Sequence, residues 1–394
     1  MNGRRWLWSI FADRRVLRGA VPWLVLLLIA ANVYVALARG GWEAARDANL
    51  LAPTTDPGRH VAGAPRYDWS VGEDVASFWP KIPDATVQSV VILAGMSQMY
   101  AINDPRPGDE TIVEHLDDKL RQHGVRAFGL AAPNMHNEEA LLYLVAAASR
   151  PETRPAAFVY GLCFDKFRNV DLRPALQRFL RSRADVQDRL RALCAEPAGR
   201  YPRACEKIRS SLASLEDVAT GTAQHDESIE GWLRDALGRA VPIIGAREAL
   251  NARLQYELYL LRNWLFRIRA TSKRPILHSR YELNRELLAL MADVARAEGI
   301  ELVLYVIPLN PQAENPYVPE EYEAFKSWSA AFADERGVPF ANLEDVVPRD
   351  DWGLLGDEPD FKHFRAEGHR RTAEALVDRF GPIFVAAKGR TPAP

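Results

Sequence analysis

Apolar and polar positions divide the chain into three stretches of different character. Residues 19–38, "GAVPWLVLLLIAANVYVALA", carry no charge at all. From residue 89 short apolar runs alternate with helical periodicity. "SVVILAG" (89–95), "VRAFGLA" (125–131), "AAFVYGL" (156–162), "IELVLYVIP" (300–308) and "VPFANL" (338–343) read as buried strands. Between the first two, "TIVEHLDDKLRQHG" sets Ile112, Val113, Leu116 and Leu120 at helical spacing and closes on Gly124. "NEEALLYLVAAASR" (137–150), "YELNRELLALMADVARAEG" (281–299) and "EEYEAFKSWSAAFADERG" (320–337) are further helices. The third stretch, 172–272, is rich in Leu, Ala and Arg at helical spacing and holds no convincing strand.

Strands that alternate with helices and are apolar throughout predict a parallel sheet covered on both faces. Right-handed crossovers then give an α/β three-layer sandwich, with 172–272 as a large helical insertion. Ligands on such sheets bind outside the carboxyl ends of the strands. The first strand ends there as "VVILAGMSQMY", which places Ser97 at that edge.

The uncharged N-terminal run is long enough, at about 1.5 Å per helical residue, to cross a bilayer. Arg4, Arg5, Arg14, Arg15 and Arg18 precede it, whereas Arg39, Glu43, Arg46 and Asp47 mix both signs after it. This bias predicts a single-pass anchor with the N-terminus (1–18) in the cytoplasm and everything beyond residue 40 outside it. A cleaved signal peptide is the competing reading, against which the length of the run argues. Residues 39–85 hold Pro53, Pro57, Pro65, Pro80 and Pro83 and read as a stalk to a domain spanning 86–394.

Composition removes several classes of function. In 394 residues, 50 Lys and Arg stand against 52 Asp and Glu, so no basic face argues for nucleic acid. No GxGxxG follows a strand, and neither GxxxxGK[ST] nor HExxH occurs. The eight histidines show no metal-ligand spacing, and no cofactor or metal is expected. Cys194 and Cys205 flank a Pro/Gly-containing loop and make a reasonable disulfide if the domain is extracytoplasmic, leaving Cys163 as a buried thiol.

Ser97 alone is weak evidence for a nucleophile, since a serine after a strand is more often a helix N-cap. A far-downstream block changes that. "GDEPDFKHFRAEGHRRTAEAL" (356–376) carries Asp360 and His363 three apart, in what reads as a loop just ahead of a final helix. A serine hydroxyl needs a base within hydrogen-bond reach. An imidazole whose tautomer is fixed by a carboxylate supplies that base. Asp357 is a rival orienter, His369 reads as structural, and Asp165 as a helix cap or ion-pair partner.

A serine following a glycine after the first strand, with D-x-x-H before the last helix, resembles the SGNH (GDSL-type) hydrolase superfamily over residues 86–382. The resemblance implies a flavodoxin-like fold in which Ser97 is the nucleophile, His363 the general base and Asp360 the orienting carboxylate. Gly95-Met96-Ser97-Gln98 stands where that family reads G-D-S, and Asp360-Phe361-Lys362-His363 matches its closing block. The middle blocks depart from the pattern. In Gly129-Leu130-Ala131-Ala132-Pro133-Asn134, Asn134 takes the place of the last glycine of N-x-G-x-x-G, and tolerates the left-handed backbone nearly as well. Its N–H and that of Ser97 are the expected oxyanion donors. Phe164 stands where G-x-N-D supplies an asparagine donor, so one donor is missing or comes from elsewhere. Such a loss costs about a hundredfold in rate.

By the same resemblance, the expected activity is that of a serine esterase or O-acyltransferase of exported cell-envelope polysaccharide. The acyl group expected is acetyl or a related one. Its substrates would be an acylated polysaccharide or acyl donor, its partner a multipass membrane O-acyltransferase, and its place the bacterial inner membrane with a periplasmic domain. The alternative is a non-catalytic carbohydrate-binding or scaffold subunit of an export complex. At the end of the insertion, "LQYELYLLRNWLFRIRATSKR" (254–274) reads as a helix packed on its own domain or as a lid or docking face near the bilayer, with Arg262, Arg267, Arg269, Lys273 and Arg274 towards lipid headgroups or an anionic polymer.

Overall fold

The computed structural model describes residues 66–68, 89–222 and 272–387, except positions 107, 132–133, 150–153, 171, 196–198 and 356. The expected anchor at 19–38, most of the expected stalk and residues 223–271 lie outside the described residues. Among the described residues no helix is long and apolar enough to cross a membrane.

Strand β2 (Ser89–Gly95) is the spine of the sheet, and Val91, Ile92, Leu93 and Ala94 are wholly buried. It pairs in parallel with β3 (Val125–Ala131) on one side and β4 (Ala157–Leu162) on the other. Beyond β4 lie β5 (Glu301–Val306) and β6 (Phe340–Asn342), both parallel. One edge carries β1 (Arg66–Asp68), three residues of the stretch read as a stalk, which pair with Gly129–Ala131 of β3. The order β1-β3-β2-β4-β5-β6 reverses direction at β2, the flavodoxin-like arrangement apart from its added edge strand. So brief an edge strand has no periodicity to announce it.

Helix α1 (Ile112–Arg121) packs on β3 and against α8 (Ala366–Ala387). Helix α2 (Asn137–Ala148) packs against α6 (His278–Ala297), which lies on β5, and α7 (Pro319–Arg336) meets β6. With right-handed crossovers, the reversal at β2 puts α1 and α8 on one face of the sheet and the other helices on the opposite face. Asp117 of α1 is fully buried but satisfied: it accepts from Arg121 at 2.6 Å, and from Arg126 and the Ala127 N–H at 2.8 Å each. One carboxylate thus fixes α1 to β3. Gly124 closes the intervening turn at φ +72°, in the left-handed region that glycine enters without strain.

Every residue of α2 is buried, although a surface helix shows a polar face. The insertion explains this. Its described helices are α3 (Pro174–Arg181), α4 (Ala184–Leu193) and α5 (Pro202–Thr222), and α4 packs on α2. An outer layer therefore lets "ALLYLVAAA" be apolar all round. Cys194 and Cys205, at the α4–α5 junction, form a disulfide across 11 positions, and Cys163 is a buried free thiol.

The final strands correct the sequence reading. Residues around Asp360 and His363 read as a loop, but they form β8 (Glu358–Phe364), antiparallel to β7 (Trp352–Leu355). Burial alternates along β8, and its inward side chains are Asp360, Lys362 and Phe364. Two of these are charged, so hydropathy hides the period of two.

Closing a loop of this length by a disulfide stabilises by about 3 kcal/mol. The Cys194→Ser/Cys205→Ser variant should lose up to that amount in urea unfolding, and reductant should have no further effect on it.

Candidate active site

Strand β2 ends at Gly95, and the chain turns at once into a short 3-10 segment, Ser97–Met99. A Cβ on Gly95 would come within 2.4 Å of the Met99 Sδ, so glycine lets the turn fold back over the strand end. The Ser97 carbonyl accepts from the Tyr100 and Ala101 amides at 3.0 and 2.8 Å. Ser97 is 8% exposed, and its hydroxyl points at β8.

There Ser97 Oγ lies 2.9 Å from His363 Nε2, across 266 positions of sequence. His363 Nδ1 lies 3.0 Å from Asp360 Oδ2. A carboxylate accepts only, so Nδ1 carries the proton and Nε2 is left to accept from the serine. Ser97, His363 and Asp360 thus form the continuous run the sequence expects. Asp357, the rival orienter, is exposed at the hairpin tip.

A bulge makes the spacing work. Trp352 pairs with Phe364 and Leu354 with Pro359, so two steps on β7 oppose five on β8. Residues 360–363 are thereby released from the ladder, as bulges beside functional sites often are. Their backbone groups must find other partners. Asp360 Oδ1 accepts from the Lys362 and His363 amides at 2.8 and 3.0 Å. Asn310 donates its side chain to the Asp360 carbonyl at 2.8 Å and its amide to the Phe361 carbonyl at 3.2 Å. Gln98, next to Ser97, donates to the Lys362 carbonyl at 2.7 Å and the Pro308 carbonyl at 2.8 Å. The serine turn and the histidine strand are bonded to each other through neighbours on both sides.

Asn103 completes the carboxylate's shell. Its Nδ2 donates to Asp360 Oδ2 at 3.2 Å and to the Leu354 carbonyl at 3.0 Å, and its amide to the Phe364 carbonyl at 2.9 Å. Gly353 makes room, since a Cβ there would stand 1.9 Å from the Asn103 side chain. Burial pushes the Asp360 carboxyl up. The hydrogen bond and charge of His363, with the two amide bonds, outweigh that and hold it below its ordinary value. Gln98, Asn103, Asn310 and Gly353 escape the sequence reading, because an amide side chain or a glycine in a loop carries no periodic or motif signal.

The other expected positions fall as follows. Asn134 follows β3 in the left-handed region at φ +49°, as its residue type suggests, and is exposed. The register Gly95↔Ala131 sets its loop beside the Ser97 turn at the same sheet edge. Phe164 is fully buried among Tyr317, Tyr322 and Phe325 and offers no donor. His369 is structural: Nδ1 accepts the Ile112 N–H at 3.2 Å and Nε2 lies 3.3 Å from the Ala101 carbonyl. Asp165 is an ion-pair partner. Of the residues expected to face lipid, Lys273 bonds the Asn315 carbonyl at 2.8 Å and Arg274 pairs with Asp165 at 2.8 Å. Arg262, Arg267 and Arg269 lie outside the described residues.

Fold and site together define an α/β protein of flavodoxin-like order with a Ser–His–Asp arrangement at the carboxyl edge of its sheet, the layout the SGNH resemblance implies. No protein-family model and no curated protein sequence matches the chain. Solved structures do match it. One is a GDSL-like lipase from Bacteroides thetaiotaomicron, at 12% identity over 76% of this chain and 91% of that one, with a TM-score of 0.34. Another is a Bacteroides fragilis protein assigned to the acylhydrolases, at 12% identity over 81% of this chain and 100% of that one, with a TM-score of 0.35. Likeness this distant carries no weight for the chemistry, which rests on the side chains of this chain.

Asn103→Ala removes a donor from a buried carboxylate oxygen and should cost about 1–3 kcal/mol in urea unfolding. Acid provides a second check. With its folded value lowered, Asp360 contributes stability that is present in full above the ordinary carboxylate range and is lost as pH falls through the lowered value. Asp360→Asn should therefore flatten the acid limb of the stability–pH curve. An unchanged limb would mean that the carboxylate is not held in this way.

Proposed function

We propose that this chain is a serine-dependent acyl-ester hydrolase or O-acyltransferase. Ser97 is its nucleophile, His363 its general base and acid, and Asp360 the group that orients the imidazole. The observation carrying this reading is the unbroken run Ser97 Oγ–His363 Nε2 (2.9 Å) and His363 Nδ1–Asp360 Oδ2 (3.0 Å).

As Ser97 Oγ attacks the ester carbonyl carbon, its proton passes to His363 Nε2 and the carbonyl π electrons move to oxygen. The imidazolium is steadied by Asp360, whose two amide bonds keep it in place. The amides of Ser97 and Asn134 hold the oxyanion. When the tetrahedral intermediate collapses, the ester C–O bond breaks and His363 returns its proton to the leaving alkoxide, leaving acyl-Ser97. Water, or a hydroxyl of an acceptor, then attacks the acyl carbon with His363 again as base, and Ser97 is released. With Phe164 in place of a third donor, the expected rate is below that of a fully equipped site by about a hundredfold.

The same reading places the enzyme at the bacterial inner membrane, anchored by residues 19–38, with the domain on the extracytoplasmic side. It acts there on acyl, most naturally acetyl, esters of exported polysaccharide, beside a multipass O-acyltransferase. The Cys194–Cys205 disulfide supports the compartment, since such bonds persist in oxidising surroundings.

The test is hydrolysis of p-nitrophenyl acetate by the full chain and by Ser97→Ala, with fluorophosphonate labelling alongside. Wild type should turn over and label, whereas Ser97→Ala should lose about a thousandfold or more in kcat/KM and fail to label. Equal traces from both would favour the non-catalytic carbohydrate-binding reading, to which the displaced donor at Phe164 lends its support.

A further inference from the structure

The turn after β4 stands where a third oxyanion donor belongs, yet its side chains do something else. Cys163 leads into a short 3-10 segment, Phe164–Phe167. Phe164 packs against Tyr317 with ring centroids 4.9 Å apart, and Tyr317 meets Phe361 edge-on at 5.3 Å. Asp165, 7% exposed, forms an ion pair with Lys362 and a second, at 2.8 Å, with Arg274. Phe361 and Lys362 are the two residues between Asp360 and His363. Asp165 holds Lys362 directly, whereas Phe361 is reached from this turn only through Tyr317.

Lys362 is buried, and an ammonium leaves water only when paired. Burial alone would raise the Asp165 carboxyl, but the charges and hydrogen bonds of Lys362 and Arg274 bring it down to about 2. Against its own burial, pairing likewise raises the Lys362 ammonium, so both shifts favour the ionised pair. Arg274, the second partner, is itself fixed: its amide donates to the Pro316 carbonyl at 2.7 Å and it bridges to Tyr317. The bulge lacks ladder partners over residues 360–363, so the bonds from Gln98 and Asn310 and the Lys362–Asp165 ion pair decide where it lies.

We propose that Asp165 is a positioning residue for His363, acting through Lys362. On this view the turn after β4 holds the imidazole in place rather than the oxyanion. This rests on the Ser97–His363–Asp360 reading above. Arg274 follows closely on the insertion in sequence, so the clamp also joins the bulge to the chain returning from it.

The test uses the full chain with Lys362→Met, which fills the same space and leaves Asp165 paired with Arg274. Misplacing a catalytic group by a fraction of an ångström to an ångström costs up to about a hundredfold. With p-nitrophenyl acetate, kcat should fall about 10- to 100-fold with KM within about twofold. Lys362→Arg should restore most of it. Asp165→Asn made on top of Lys362→Met should add less than about threefold, the non-additivity expected of one connected unit. The low-field proton resonance of His363 Nδ1–H, observed with nitrogen-labelled histidine, should broaden or move in Lys362→Met and recover in Lys362→Arg. A kcat within twofold of wild type with that resonance unchanged would overturn the proposal, as would a loss that tracks only the unfolded fraction. If wild type neither turns over nor labels, the serine-nucleophile reading falls, and the resonance alone still decides whether the clamp holds the imidazole.

Discussion

Asp360 is a buried carboxylate with too many neighbours to move. One oxygen takes two amides of its own bulge, and the other takes Asn103 and His363. Without those bonds the bulge would leave unpaired backbone groups beside a buried charge, and the strand would have no reason to leave its ladder. With them, the carboxylate organises the bulge and orients the imidazole in one act. The hairpin, Gly353 and the placement of Asn103 all serve that arrangement.

Ser97 and His363 come from opposite ends of the domain sequence, and their meeting depends on topology. Reversal of winding at β2 opens a crevice at the carboxyl edge. The serine turn sits there because β2 is the central strand. The β7–β8 hairpin immediately precedes α8, which packs against α1, and the Asn103 amide bonds the hairpin to the segment that follows the serine turn. Gln98 then bonds the two segments together beside Ser97 and His363.

Much of this was legible in the residues. The five strands and four core helices follow from apolar runs and helical spacing, and Ser97, Asp360 and His363 from the SGNH blocks that their surroundings resemble. The hairpin was hidden because its inward side chains are Asp360 and Lys362, whose burial depends on partners a hydropathy pattern does not see. The edge strand at Arg66–Asp68 was hidden because three residues carry no period. Gln98, Asn103 and Asn310 were hidden for another reason: an amide becomes informative only when its partner is known.

Residue order and type therefore established the class of sheet and the candidate residues at its carboxyl edge, because burial periodicity and side-chain type are local properties. The folded chain alone decided which imidazole nitrogen faces the serine, that Phe164 joins an aromatic cluster, and that Asp165 faces Lys362 and Arg274. Those outcomes depend on distances between segments far apart in sequence, and such distances are fixed only when the backbone groups of every segment have found their partners.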